Sequence, residues 1–152
     1  MSIETRKARL EDLSILLEFE QGIIEFERPF DPTLKEEKIS YYDIKAMLFL
    51  EEVEVLVVVD NEEVVASGYA RIEPGKPYLK HAIYGYLGFM FVKESHRGKG
   101  INKLIVDGLQ DWCASKNITE IRLDVYAENP GAIKAYEKAG FKSFLVNMRK
   151  GI

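Results

Sequence analysis

The chain has 152 residues, of which 47% are hydrophobic and 30% charged, and it carries a formal net charge of −4. That balance belongs to a soluble globular domain with a substantial core and excludes a disordered segment. The acidic excess argues against a general nucleic-acid binder.

The N-terminus lacks the apolar core of a signal peptide. Residues 3 to 9 read as an opening strand. Asp12 reads as the cap of a first helix, with Leu13, Leu16, Leu17, Ile23 and Ile24 as its apolar stripe. Gly22 predicts a bend or an end. Pro29 and Pro32 break the pattern. Thr33 with Glu36 has the form of a capping box and predicts a second helix ending near Leu50. Val53 to Val59 and Glu63 to Glu73 read as an antiparallel hairpin about the turn signal Asp60-Asn61, and Pro74-Gly75-Lys76-Pro77 marks a loop. Tyr84 to Val92 is an extended run whose glycines, Gly85 and Gly88, suggest a bulge or a close approach.

Residues 92 to 104 join this run to a helix. Gly98 and Gly100 alternate with Arg97 and Lys99, and from Ile101 apolar residues recur at helical spacing. The helix runs to about Lys116. A helix opening has unpaired N–H groups and the positive end of the dipole. Glycines let that backbone approach an oxyanion. The alternative is a surface turn with two solvated cations. The spacing is neither that of a P-loop nor that of the dinucleotide fingerprint.

Thr119 to Ala127 alternates as a strand, with Ile121, Leu123 and Val125 on one face. Pro130 to Ala139 reads as a helix capped by Asn129 and stopped by Gly140. Phe141 to Arg149 reads as a final strand. Nothing divides the chain, so residues 1–152 read as a single mixed α/β domain. No apolar run approaches the roughly 20 residues that span a bilayer, so no membrane partner is expected. Cys113 is the only cysteine, which fits a reducing, cytoplasmic compartment. With His81 and His96 it offers no metal-ligand spacing.

Arg97-Gly98-Lys99-Gly100-Ile101-Asn102 resembles the acyl-CoA pyrophosphate loop of the GNAT superfamily of N-acetyltransferases. The family pattern is Gln or Arg, two residues, Gly, one residue, then Gly or Ala. Arg97 and Gly100 match; Asn102 departs, and its side chain either needs room beside the pyrophosphate or hydrogen-bonds to it. A second stretch, from Asn129 through Ala132, Tyr136 and Gly140 to Phe141, is similar to the family's C-terminal motif. The resemblance implies a central mixed sheet with helices on both faces and a splay between two parallel strands. It implies acetyl-CoA as co-substrate, entering the splay beside the strand that ends at Val92. Met90, Phe91, Val92, the loop from Arg97 to Asn102, and Asn129 then contact the cofactor, with the main-chain N–H near Met90 polarising the thioester. Homodimers are common in that family.

Transfer of an acyl group to an amine needs a neutral amine, an oxyanion donor and a proton for the thiolate. No Ser-His-Asp or Cys-His pattern is evident, which favours direct attack. By resemblance Tyr136 is the general acid. Glu73, Glu27 and Asp124 are candidate bases, Glu73 foremost. Tyr84 and Tyr86 are candidate relays, and Tyr78, Tyr84 and Tyr86 are candidate walls for an acceptor. The resemblance also places Glu25, Glu27, Arg28 and Phe30 near that acceptor, a small-molecule or protein amine. A non-catalytic CoA-binding module and a nucleotide-binding regulator are the competing readings.

Overall fold

A computed structural model describes residues 2–152. Its centre is one five-stranded sheet of β1 (Ile3–Lys7), β2 (Val53–Asp60), β3 (Glu63–Pro74), β4 (Ile83–Val92) and β5 (Ile121–Arg122), in that spatial order. The first three junctions are antiparallel, and β4 and β5 run parallel. The helices are α1 (Leu13–Glu27), α2 (Ile44–Met47), α3 (Ile101–Ser115) and α4 (Pro130–Lys138). Among the described residues no helix is long and apolar enough to cross a membrane.

Side-chain alternation along β2 explains why helices lie on both faces. Val55 and Val57 point to one side, where Leu16, Phe19 and Ile23 of α1 and Ile44 of α2 cover them. Leu56 and Val58 point to the other, where Ile101, Ile105, Leu109 and Cys113 of α3 cover them. A sheet covered on both faces needs an unbroken apolar run rather than alternation. Gly108 lets α3 settle closely, because a Cβ there would lie 2.7 Å from Leu56 Cδ1. The β2–β3 turn places Asn61 and Glu62 at φ 50° and 72°, the left-handed pair that a tight hairpin requires.

Several sequence expectations are corrected. First, α1 is continuous through Gly22. The missing side chain makes room for the Phe91 ring, 2.7 Å from where a Cβ would stand.

Second, the helix expected from Thr33 to Leu50 is reduced to the four residues of α2. Asp31 Oδ1 accepts from Thr33 N and Thr33 Oγ1, a local turn that competes with a helix start. Side chains of α1 and its end then hold main-chain groups that a helix would have paired. Gln21 donates to Ile39 O, Arg28 to Lys35 O and Glu37 O, and buried Glu20 accepts from Tyr41 N and Tyr42 N at 2.9 and 2.8 Å.

Third, β5 pairs only at Gly85↔Ile121 and Tyr86↔Arg122, so the run to Ala127 is not a paired strand. Fourth, residues 141–149 form no strand. Phe141 packs against the α3-side core, while Phe144, Leu145 and Val146 are exposed.

Asp12 makes no capping bond to α1. It is buried instead against Arg6, in a two-pronged pair of 2.8 and 3.0 Å, and accepts from Arg9 N at 2.7 Å. The hydrogen bond from Arg6 holds its carboxyl below the usual range, outweighing the opposing effect of burial. A depressed folded pKa contributes stability that is complete above the unfolded pKa and is lost as pH falls through the folded one. Asp12→Asn is therefore expected to cost stability near neutral pH, with the gap to the parent closing in acid. Urea unfolding across that range measures it.

Cys113 is 1% exposed, and burial pushes its thiol up to about 11. A thiol must ionise to react, so a thiol reagent is expected to label the folded protein only as fast as it unfolds.

Candidate active site

The junction between β4 and α3 is an open glycine turn. Gly98 and Gly100 have φ of 74° and 76°, in the region where a side chain costs about 1–2 kcal/mol. No atom lies within 4 Å of a Cβ built on either, so these glycines face open space. Gly100 is the N-cap of α3 and provides no side-chain cap, which leaves the first-turn amides of a 15-residue helix free for a ligand. Ile101 is core, at 3% exposure, so it offers only its main chain. Lys99 is exposed. Arg97 donates from Nε to Val92 O at 2.9 Å, fixing its guanidinium over Phe91 at 5.8 Å.

Beside this turn the sheet opens. β4 continues to Val92, whereas its pairing with β5 ends at Tyr86. Lys93 N donates to Val65 O of β3 at 2.8 Å. By alternation the amides of Val92 and Met90 face the opposite way, into the gap. Just before them β4 carries a bulge: the register with β3 shifts between Ser67 and Tyr69, and Phe89 takes φ 57°. The expected bulge is therefore carried by Phe89, while Gly85 and Gly88 admit Cys113 and the Tyr69 ring.

Tyr136 of α4 approaches the same turn. Its ring meets Phe141 at 5.7 Å between centroids. Burial pushes its phenol pKa up, opposed by the neighbouring Asn102 side chain. The residue that departs from the pyrophosphate-loop pattern thus lies beside the tyrosine. Asn129 caps α4, accepting from Ala132 N at 3.2 Å.

The candidate bases separate. Glu73 is bonded to Arg71, whose guanidinium lies over Tyr69 and Tyr86. Asp124 accepts from Tyr86 Oη at 2.9 Å. Burial raises the pKa of Glu27. Of the three tyrosines expected to wall an acceptor, Tyr86 joins this region. Tyr78 is 81% exposed, and Tyr84 packs with His81 and Arg122. Four others were not anticipated. Tyr42 stands edge-on to Tyr41, Tyr69 and Phe89, and Tyr126 stacks on Phe30. Ser40-Tyr41-Tyr42 lay inside the expected helix and carried no signal of its own. The concavities lined by Glu11 and Lys93, and by Glu4 and Arg9, contain none of these groups.

The acetyltransferase (GNAT) family profile matches residues 19–141. Among curated proteins, N-alpha-acetyltransferase 30 of Saccharomyces cerevisiae is 34% identical over 91 residues, covering 56% of this chain and 49% of that protein. The uncharacterized N-acetyltransferase YycN of Bacillus subtilis is 31% identical over 91 residues, covering 60% of this chain and 56% of that protein. The chain thus spans about half the length of these relatives. Among solved structures, a tetramutant of the BH1408 protein from Bacillus halodurans superposes with a TM-score of 0.86 at 23% identity, covering 100% of both chains. A predicted acetyltransferase from Clostridium acetobutylicum, solved with acetyl-CoA, gives 0.77 at 21% identity over 99% and 96%. Glucosamine-6-phosphate N-acetyltransferase from Arabidopsis thaliana gives 0.70 at 22% identity over 99% of each. With its splayed parallel strands, its glycine turn and a family match running from α1 to Phe141, the chain belongs to the acetyltransferase (GNAT) family.

Proposed function

We propose that the protein transfers an acetyl group from acetyl-CoA to a primary amine by direct attack. The observation that carries this reading is the open left-handed glycine turn before α3, with Tyr136 beside it at Asn102. The residues present fit the cofactor. A diphosphate suits the free amides from Gly98 to Asn102, with Arg97 and Lys99 adding charge. The inward amides of Met90 and Val92 suit an extended amide-bearing arm, which would lie along β4 as an added strand. When bound, acetyl-CoA supplies the activated carbonyl that the amine attacks.

The chain's own groups do the rest. The Met90 amide faces the gap as an oxyanion donor, and such a donor contributes about 2.7–4 kcal/mol where it has been removed. Tyr136, held protonated by burial, donates to the departing thiolate. A carboxylate takes the amine's surplus proton. Glu27 suits this better than Glu73, because Arg71 already occupies Glu73 while burial makes Glu27 more basic.

Thiol release from acetyl-CoA across an amine panel tests the proposal. Amine-dependent release is expected. A folded sample that binds CoA by calorimetry yet releases none with any amine would instead be a non-catalytic CoA-binding module.

A further inference from the structure

We infer that the acceptor is a cationic amine bearing no anionic group, received at the aromatic-walled carboxylate of Glu27 beside Tyr41, Tyr42 and Tyr126. This rests on the reading above and names the substrate class for the same site.

Three observations carry it. The first is the balance of charge. Every arginine reaching this end of the sheet is already occupied. Arg71 is paired with Glu73, and Arg149 with Asp31 at 2.8 Å. Arg28 bonds Glu25 and the carbonyls of Lys35 and Glu37. Glu27 and Asp124 have no cationic partner among the described residues, so the uncompensated charge is negative. An incoming carboxylate or phosphate would meet like charge without an arginine to receive it, a mismatch that selects against anionic amines.

The second is a hydroxyl set beside the carboxylate. Tyr41 Oη is buried, and its pKa is pushed up first by that burial and then by the neighbouring Glu27 carboxylate. An ammonium reaching Glu27 would be held by the carboxylate and by the phenol oxygen together. The third is the surround of tyrosine rings. The Tyr41 and Tyr42 rings meet at 5.8 Å, and Tyr126 stacks on Phe30 at 5.5 Å. Aromatic faces attract a cation and repel an anion. The Tyr42 ring in turn lies 5.5 Å from that of Phe89, on the bulge that precedes Met90, which links this aromatic cluster to the end of β4 where the thioester would lie.

The test uses the full chain with saturating acetyl-CoA and measures thiol release with 1,4-diaminobutane, glutamate and glucosamine 6-phosphate. The diamine is expected to exceed both anionic amines in kcat/KM by at least about 100-fold. Glu27→Gln is expected to raise KM for the diamine at least about tenfold while leaving KM for acetyl-CoA unchanged. Equal or faster transfer to either anionic amine would overturn the inference and leave acetyl transfer standing. An unchanged diamine KM in Glu27→Gln would also overturn it. Absence of release with every amine would overturn the acetyltransferase reading together with it. The comparison among amines uses the parent protein, so it stands even if the variant does not fold.

Discussion

Tyr136→Phe is expected to lower kcat by about 100-fold or more, with KM for acetyl-CoA nearly unchanged. The substitution removes one oxygen and keeps the ring that packs against Phe141, so α4 and its cap at Asn129 remain in place. What is lost is the proton for the departing thiolate, and general acid catalysis of this kind contributes about 10²–10⁴-fold. A second readout separates this from mere loosening. A phenol held protonated by burial imposes a limb at high pH on the rate, because the acid form disappears as pH rises through its pKa. That limb is expected in the parent and absent from the variant. A kcat within twofold of the parent would remove Tyr136 from the chemistry.

Methyl groups on the glycine turn are expected to have the other large effect. Gly98→Ala with Gly100→Ala should weaken CoA binding by at least about tenfold for each methyl, equivalent to about 1.4 kcal/mol apiece. Both residues have left-handed φ and open space in front of them. The methyls therefore strain the turn, at about 1–2 kcal/mol each, and intrude on the surface where a diphosphate would rest. Gly140→Ala is the control. Gly140 also has a positive φ, 98°, with nothing within 4 Å of its Cβ, but it ends α4 rather than opening α3. It should lower the melting temperature to a similar degree and leave the CoA dissociation constant unchanged. Calorimetry and thermal unfolding of the two variants side by side measure both effects.

The parts of the fold legible in the sequence were those set by local chemistry. The β2–β3 hairpin, the glycine turn into α3 and the Asn129-Pro130 opening of α4 all rest on residues whose backbone preferences act over a few positions. The parts that were not legible depend on distant groups. Nothing near Thr33 announces that Glu20, Gln21 and Arg28 hold the backbone of residues 35 to 42. The capping-box pattern there was outcompeted by side chains from another element. For the same reason Tyr41 and Tyr42 escaped notice as site residues: their amides are fixed by a buried carboxylate some twenty residues earlier. Glu73, the base put foremost from the sequence, is one that Arg71 occupies, and only the packing shows that.

Amide resonances followed by heteronuclear NMR during a titration with CoA test most directly whether the turn before α3 grips a diphosphate. The amides of Gly98, Lys99, Gly100, Ile101 and Asn102 are expected to shift together and saturably, with 3′-phosphoadenosine diphosphate reproducing most of the change and pantetheine alone reproducing little of it. Amides from 98 to 102 that stay in place at saturating CoA, while others in the protein move, would contradict it.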